Sequence, residues 1–191
     1  PERILSNLSR DESSDDEFDT YRRAIAHHRL AETDRALEVL DRLLARHPDD
    51  PYYLALRGQF LCAGARPEEA VVAYRRAVAL APDEPLIAGN LGRALLATNR
   101  KADETEALDV LQRALRDDPG SPSMLRDLAI AQVRAGNDGL AALASAERLA
   151  MLGEIRDSAA LAQRAMGLLQ EGSPAWQRAD DLLLMARRAL E

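Results

Sequence analysis

The stretch PYYLALRGQFLCAGARPEEAVVAYRRAVALAP, from Pro51 to Pro82, decides the fold of this chain. Its first half places Leu54, Gly58 and Leu61 at positions i, i+4 and i+7, which form one stripe along an α-helix. Its second half carries a matching stripe, and a Gly-Ala-Arg-Pro break separates the two halves. The stretch therefore predicts a helical hairpin that is too thin to bury its own apolar face.

The same pattern recurs on either side of this stretch. Pro48 and Pro82 are 34 residues apart, and Pro82 and Pro119 are 37 residues apart. Each of these prolines is followed three residues later by a second proline, which fits the first position of a new helix because its missing N–H costs nothing there. A hairpin that repeats at this period is stable only when it is stacked on its neighbours.

A repeat of this length and pattern resembles the tetratricopeptide repeat (TPR). The resemblance depends on small residues at the helix contacts and on the closing prolines, which are here Ala24, Ala36 and Pro48; Gly58, Ala70, Ala77 and Pro82; Gly92, Ala107, Ala114 and Pro119; and, in a drifting fourth unit, Ala129, Gly136 and Ala141. The resemblance implies an all-α fold, a right-handed TPR-type α-solenoid of stacked antiparallel helix pairs with a C-terminal capping helix.

The repeats predict the organisation of the chain. We expect an N-terminal acidic linker over residues 1–16, and degenerate repeat and capping helices over 154–191. Between them lie about four TPR units, with bounds 17–50, 51–84, 85–121 and 122–153. Three residues inserted around Lys101–Glu106 are expected to lengthen a turn, with the next helix beginning near residue 104.

The composition fits an all-helical protein. Of the 191 residues, 47% are hydrophobic, 4% are aromatic and 30% are charged, which supplies enough apolar surface for a continuous stacked core. The net charge of −7 argues against a nucleic-acid partner. No run of 18 apolar residues predicts a membrane span. The one cysteine, Cys62, excludes an intrachain disulfide and is interpreted as a core or groove residue.

The sequence carries no motif for catalysis. It has no His-Glu-x-x-His, no paired cysteines, no Gly-rich phosphate loop and no G-x-S-x-G. His27 and His28 are adjacent, so on a helix their rings point about 100° apart and cannot share a metal ion. We therefore expect no enzyme activity, no metal site and no cofactor in these residues.

The TPR resemblance implies instead a concave surface lined by the first helix of each repeat. The residues expected to bind a partner there are Tyr21, His28, Arg29, Tyr52, Gln59, Arg93, Arg126 and Arg134. This mixture suits an extended or helical peptide, with arginines for carboxylates and tyrosines for apolar side chains. The alternative is a structural scaffold or self-association module, in which another copy fills the groove to form a homo-oligomer.

A narrower resemblance is carried by three segments, Pro51–Leu61 (PYYLALRGQFL), Leu128–Gly139 (LAIAQVRAGNDG) and Leu168–Ala179 (LLQEGSPAWQRA). They are similar to the C-terminal TPR region of bacterial zinc metalloproteases of the BepA-like kind. This resemblance implies that the chain is the non-catalytic arm of a periplasmic metalloprotease in envelope protein quality control. It implies a periplasmic location; without it we expect a cytoplasmic one. Since the zinc motif is absent from these residues, peptidase activity is not assigned to them.

Overall fold

The computed structural model describes residues 16–190, which form ten α-helices and contain no strand. The helices are α1 Glu17–Arg29, α2 Thr33–Arg46, α3 Pro51–Ala63, α4 Pro67–Leu80, α5 Pro85–Ala97, α6 Lys101–Asp117, α7 Pro122–Arg134, α8 Asp138–Met151, α9 Ile155–Leu168 and α10 Pro174–Leu190. The expected all-α fold of helix pairs is confirmed. The predicted acidic linker lies outside the described residues, apart from Asp16.

The chain divides into two compact units between Thr98 and Asn99. In the first unit, α3 packs against α2, α4 and α5, and α1 packs against α2. In the second unit, α7 packs against α6 and α8, while α9 and α10 pack against each other and against α8. The division falls within the predicted repeat 85–121, in the turn between α5 and α6.

Each first helix of a pair ends at a residue in the left-handed backbone conformation. This residue recurs at the same repeat position, as Ala31 (φ 60°), Ala65 (φ 57°), Asn99 (φ 54°) and Gly136 (φ 77°). At Ala65 the turn is closed by the N–H of Arg66, which donates to the carbonyl of Leu61 at 2.9 Å, and by the N–H of Ala65, which donates to Cys62 at 3.1 Å. This is the Schellman pattern, which glycine adopts at least cost.

In the first three pairs the second helix, α2, α4 or α6, ends in a different way, at a residue that precedes a proline. His47, Ala81 and Asp118 have nearly the same backbone angles, with φ from −127° to −135° and ψ from 67° to 81°. The following proline ring disfavours the helical conformation at these residues, so the helix stops there. The next helix then begins with its own cap: the Asp50 side chain accepts from the N–H groups of Tyr52 and Tyr53 at 2.8 and 3.0 Å.

The expected lengthened turn before residue 104 is wrong, because the three inserted residues extend a helix instead. Helix α6 is the second helix of its pair; it begins at Lys101 and has 17 residues, three more than the 14 residues of the second helices α2, α4 and α8. The Lys101-Ala102-Asp103-Glu104 segment favours a helix start, since its carboxylates lie in the first turn near the positive end of the helix dipole. Lys101 and Glu104 also pair at 2.6 Å.

The predicted close contact within the central hairpin is present. A β-carbon built on Gly58 would lie 2.6 Å from Cε2 of Tyr74, which is closer than carbon atoms can approach. Tyr74 is only 3% exposed, and Ala70 on the same helix is fully buried. The small residue at position 58 therefore lets the ring of Tyr74 pack closely against α3.

We predict that Gly58→Leu lowers stability by about 1–3 kcal/mol, because the added side chain must displace the Tyr74 ring from a packed contact. The measurement is urea unfolding followed by circular dichroism. Gly167→Ala is the matched control, since it also lies in a helix but has no atom within 4 Å of the added carbon. Equal unfolding midpoints for Gly58→Leu and the wild type would mean that the α3–α4 contact is described wrongly.

A second prediction concerns the turn between α3 and α4. Ala65→Gly is expected to stabilise the chain by about 0.5–1 kcal/mol, because glycine adopts the left-handed conformation without the strain that a β-carbon causes. Gly136→Ala, at the same position of another pair, should destabilise the chain by a similar amount. Both changes are measured as shifts in thermal midpoint, and a stabilising Gly136→Ala would contradict the interpretation.

Candidate functional site

Six of the eight predicted partner-binding residues lie on the first helices of the first unit. Tyr21, His28 and Arg29 are on α1, Tyr52 and Gln59 are on α3, and Arg93 is on α5. We call the exposed side chains of these three helices the first-helix surface. Tyr21, Arg29, Tyr52 and Gln59 are exposed, whereas His28 and Arg93 are half-buried.

The N-terminal ends of α1, α3 and α5 are joined by hydrogen bonds from two tyrosines. The hydroxyl of Tyr53 donates to Glu17 at the start of α1, and the hydroxyl of Tyr52 donates to Oε1 of Glu84, just before α5, at 3.0 Å. Burial, together with the Glu17 carboxylate, raises the pKa of Tyr53 to about 12, and Glu84 raises the pKa of Tyr52. His47 Nε2 lies 3.2 Å from the other oxygen of Glu17.

A row of exposed apolar side chains crosses these helix ends. Phe18, Tyr52 and Leu86 are the second residues of α1, α3 and α5 and are 65%, 59% and 62% exposed. They occupy one repeat position, since each follows the previous one by 34 residues. Only Tyr52 is among the site residues predicted from the sequence, although the spacing of the three is sufficient to identify the row. The guanidinium of Arg22 lies 5.4 Å from the centre of the Phe18 ring.

Towards the other end of α1, His28 stacks on a buried aromatic ring. The ring centres of His28 and Phe60 are 4.4 Å apart and their planes are inclined by 20°. Burial, with a smaller contribution from the positive charge of Arg29, lowers the pKa of His28 below its ordinary value of 6.5. His28 therefore presents a neutral, flat ring at neutral pH, which can accept or donate a hydrogen bond.

We predict that His28 titrates below 6.5 and that Arg29→Gln raises its pKa, because the substitution removes a repelling charge. Because the folded-state pKa is lowered, the unfolded chain binds the proton first as the pH falls through 6.5. His28 therefore lowers stability as the pH decreases from 6.5 towards its folded pKa. The pKa is measured from the chemical shift of the ring Cε1 proton, and a value at or above 6.5 would contradict the assignment.

Arg93 lies near two other polar side chains of the first unit. Burial raises the pKa of the Cys62 thiol and of the Tyr74 hydroxyl, and in both cases the positive charge of Arg93 acts in the opposite direction. Cys62 is half-buried and its thiol is held protonated, which agrees with its expected role as a packing residue rather than a nucleophile.

The other two predicted residues, Arg126 and Arg134, lie on α7 in the second unit. Arg126 donates to Oδ1 of the neighbouring Asp127 from Nε at 3.0 Å and from Nη2 at 2.9 Å, and Asp127 is buried. Arg134 donates to the side-chain oxygen of Asn99 at 2.9 Å. Both guanidinium groups therefore make hydrogen bonds within their own unit.

The second unit also contains a groove that was not predicted from the sequence. Its volume is about 650 Å³. The residues of α7 and α8 that line it include Leu125, Leu128, Gln132, Leu140, Leu143, Ala144, Glu147 and Met151. Helix α6 adds Gln112, Leu115 and Arg116, and α10 adds Arg178, Leu182 and Met185. We call this cavity the second-unit groove.

The second-unit groove has one carboxylate near its floor. Glu147 has a side chain that is 20% exposed, and its Oε1 lies 3.3 Å from Nη1 of Arg178. Burial raises the pKa of Glu147, and the Arg178 charge opposes that effect. Among residues 16–190 no three His, Cys, Asp or Glu side chains are placed so that they could hold a metal ion.

Helices long and apolar enough to cross a membrane are also absent from the described part of the chain.

Comparison with known proteins agrees with the fold. Residues 21–85 and 62–109 match the family model described as tetratricopeptide repeat. No curated protein sequence matches the chain. Among solved structures, MamA from Desulfovibrio magneticus RS-1 (residues 41 to the end) has a TM-score of 0.68 at 22% identity, over 80% of this chain and 84% of that one.

Two further structures resemble the chain over most of its length. PilW, described as a widely conserved type IV pilus biogenesis factor, has a TM-score of 0.65 at 22% identity and covers 98% of this chain and 88% of its own. A thermophilic TPR protein of Thermus thermophilus has a TM-score of 0.58 at 20% identity, over 88% and 100% of the two chains. At these identities the similarities show the TPR-type fold, and they indicate no catalytic family.

Proposed function

We propose that the chain is a protein-interaction module that binds a polypeptide on the first-helix surface of its first unit. The observation that carries this proposal is the row of Phe18, Tyr52 and Leu86, three large apolar side chains that are more than half exposed at one repeat position. Since they bury little surface within the chain, they contribute little to its folding. Contiguous exposed apolar residues of this kind are typical of interaction sites.

The surroundings of the row are suited to an interface. Tyr52 is oriented by its hydrogen bond to Glu84, so its ring loses little conformational freedom when a partner binds. Arg22 covers one part of the Phe18 ring and supplies a cation beside it. Aromatic and arginine side chains are the residue types that most often anchor protein interfaces.

The spacing of the row constrains the partner. Helices α3 and α5 pack against each other, and packed helices lie about 8–10 Å apart, so we expect successive members of the row to be separated by about that distance. An α-helix that rises 1.5 Å per residue repeats a side chain at about 10.5 Å between positions i and i+7. A helical segment with apolar residues seven positions apart would therefore place them on successive members of the row. Of the other predicted residues, Tyr21 lies about one turn along α1 from the row, and His28, Arg29, Gln59 and Arg93 lie nearer the other ends of the same three helices.

The narrower resemblance in the sequence supports a second proposal, which concerns the setting of the module. We propose that the chain is the arm of an exported bacterial metalloprotease that handles protein substrates in the envelope. The support is the similarity of segments such as Pro51–Leu61 to that family. The test is the parent coding sequence, which should encode a signal peptide and a His-Glu-x-x-His helix upstream of Pro1. A parent protein without either would place the module elsewhere, with a cytoplasmic location as the alternative.

The binding prediction is tested with peptides selected from a random display library on the immobilised chain. Replacing Phe18, Tyr52 and Leu86 together by serine should lower the affinity of the chain for the selected peptides by at least about tenfold, because each substitution removes an apolar contact with the peptide. Val72→Ser is the matched control, since Val72 is 68% exposed on α4, outside the first-helix surface. Affinity is measured by fluorescence polarisation, and helicity by circular dichroism.

Peptides that bind the triple variant as tightly as the wild type would place the site away from the row. Light scattering measures the oligomeric state of the free chain and so distinguishes peptide binding from the scaffold alternative. A wild-type oligomer that becomes a monomer in the triple variant would show that a second copy occupies the row, and the proposed peptide ligand would then be wrong.

A further inference from the structure

The second-unit groove has a counterpart in the first unit. Equivalent positions two repeats apart differ by 71 residues, since one repeat spans 34 residues and the next spans 37. A hollow of about 310 Å³ on α3 and α4 is lined by Leu54, Arg57, Leu61, Glu69, Val72, Ala73 and Arg76. Each of these seven residues has its equivalent in the lining of the second-unit groove. The two cavities are therefore copies of one feature of the repeat.

The two copies differ in the chemistry of their lining. In the first unit Arg57 pairs with Asp41, and Glu69 pairs with Arg66 at 2.6 Å. In the second unit leucines, Leu128 and Leu140, stand at the positions of Arg57 and Glu69. At these two positions charged side chains in one copy are replaced by apolar side chains in the other. The second-unit groove is also the larger of the two cavities.

The second-unit groove faces away from the predicted partner-binding residues of α7. At about 100° per residue, the stripe formed by Leu125, Leu128 and Gln132 lies on roughly the opposite side of the helix from Arg126 and Arg134. A ligand in the groove would therefore contact a different face of α7 from the one that carries Arg126 and Arg134.

The rim of the groove is adaptable and carries positive charge. Met151 and Met185 are 47% and 56% exposed, and methionine side chains adjust their shape to a partner. Arg178 is bonded to Glu147, whereas no carboxylate among the described residues lies within ion-pair distance of Arg116. The lining carries two guanidinium groups and one carboxylate, although the whole chain has a net charge of −7. This local excess of positive charge attracts a carboxylate.

We propose that the second-unit groove binds an amphipathic helix of a protein partner whose apolar stripe is bordered by carboxylates. The leucine floor and the methionine rim receive the apolar stripe, as in grooves that bind helices. Arg116 then pairs with a carboxylate of the partner. A cavity of this volume accepts several side chains, and the helix itself lies along its opening.

The test uses two fluorescein-labelled model helices of about 18 residues with the same leucine stripe. One carries glutamates along the stripe and the other carries lysines. In low salt the glutamate helix should bind the whole chain at least about tenfold more tightly than the lysine helix, and Arg116→Glu should reverse that preference. Equal binding of the two helices, or no binding of either, would overturn the proposal.

The position of the site is tested by giving the second-unit groove the residues of its counterpart. Leu128→Arg with Leu140→Glu should weaken binding of the glutamate helix by at least about tenfold; both residues are half-buried, and the equivalent positions in the first unit carry Arg57 and Glu69. Ile130→Arg is the matched control on the other side of α7 and should leave the affinity unchanged.

Two results at this stage contradict the proposal. The first is unchanged affinity in the double variant with its helicity intact, which would place the peptide elsewhere. The second is displacement of the glutamate helix by sodium oleate, where oleate binds the wild type one-to-one and does not bind the double variant. That result would make the groove a site for an anionic lipid. If the double variant loses helicity, Arg116→Glu alone decides, since Arg116 is exposed and contributes nothing to the core.

Discussion

The fold depends on two ways of stopping a helix, which alternate along the chain. Within each pair the first helix ends at a left-handed residue, as at Ala65, and between the first pairs the second helix ends before a proline, as at Ala81. Both devices act on the backbone and not through side-chain packing. They fix where each helix ends, so the helices reach the lengths at which small residues such as Gly58 meet their partners. The stacked core follows from these lengths.

The fold could therefore be read from the sequence, because both devices leave traces in it. Paired prolines and a break such as Gly64–Pro67 mark helix ends to within a few residues. The segment after Asn99 was misread for a physical reason: an insertion can lengthen either a turn or a helix. Here Asp103 and Glu104 favour a first helical turn, because carboxylates interact favourably with the positive end of the helix dipole.

The candidate sites could be predicted from the sequence only in part. Tyr52 could be predicted because its exposed position follows from its place on a first helix, and Phe18 could have been found from the same 34-residue spacing. The second-unit groove was not predicted: the repeat supplies its lining on α7 and α8, but the contribution of α10 depends on how that helix lies against α8, which no repeat pattern specifies. Leucine at position 128 reads as core in a sequence, and only the structure shows that it lines a cavity.

The bond between Tyr53 and Glu17 has a consequence for how the chain is made. These residues are 36 positions apart, and ribosomes add about 5–20 residues per second, so Tyr53 is synthesised about 2–7 s after Glu17. Over that interval the nascent α1 has neither the hydroxyl that secures its first turn nor the Phe60 ring on which His28 rests. Until Tyr53 and Phe60 have been synthesised, α1 can therefore pack only against α2, and its first turn and the His28 ring lack these two contacts.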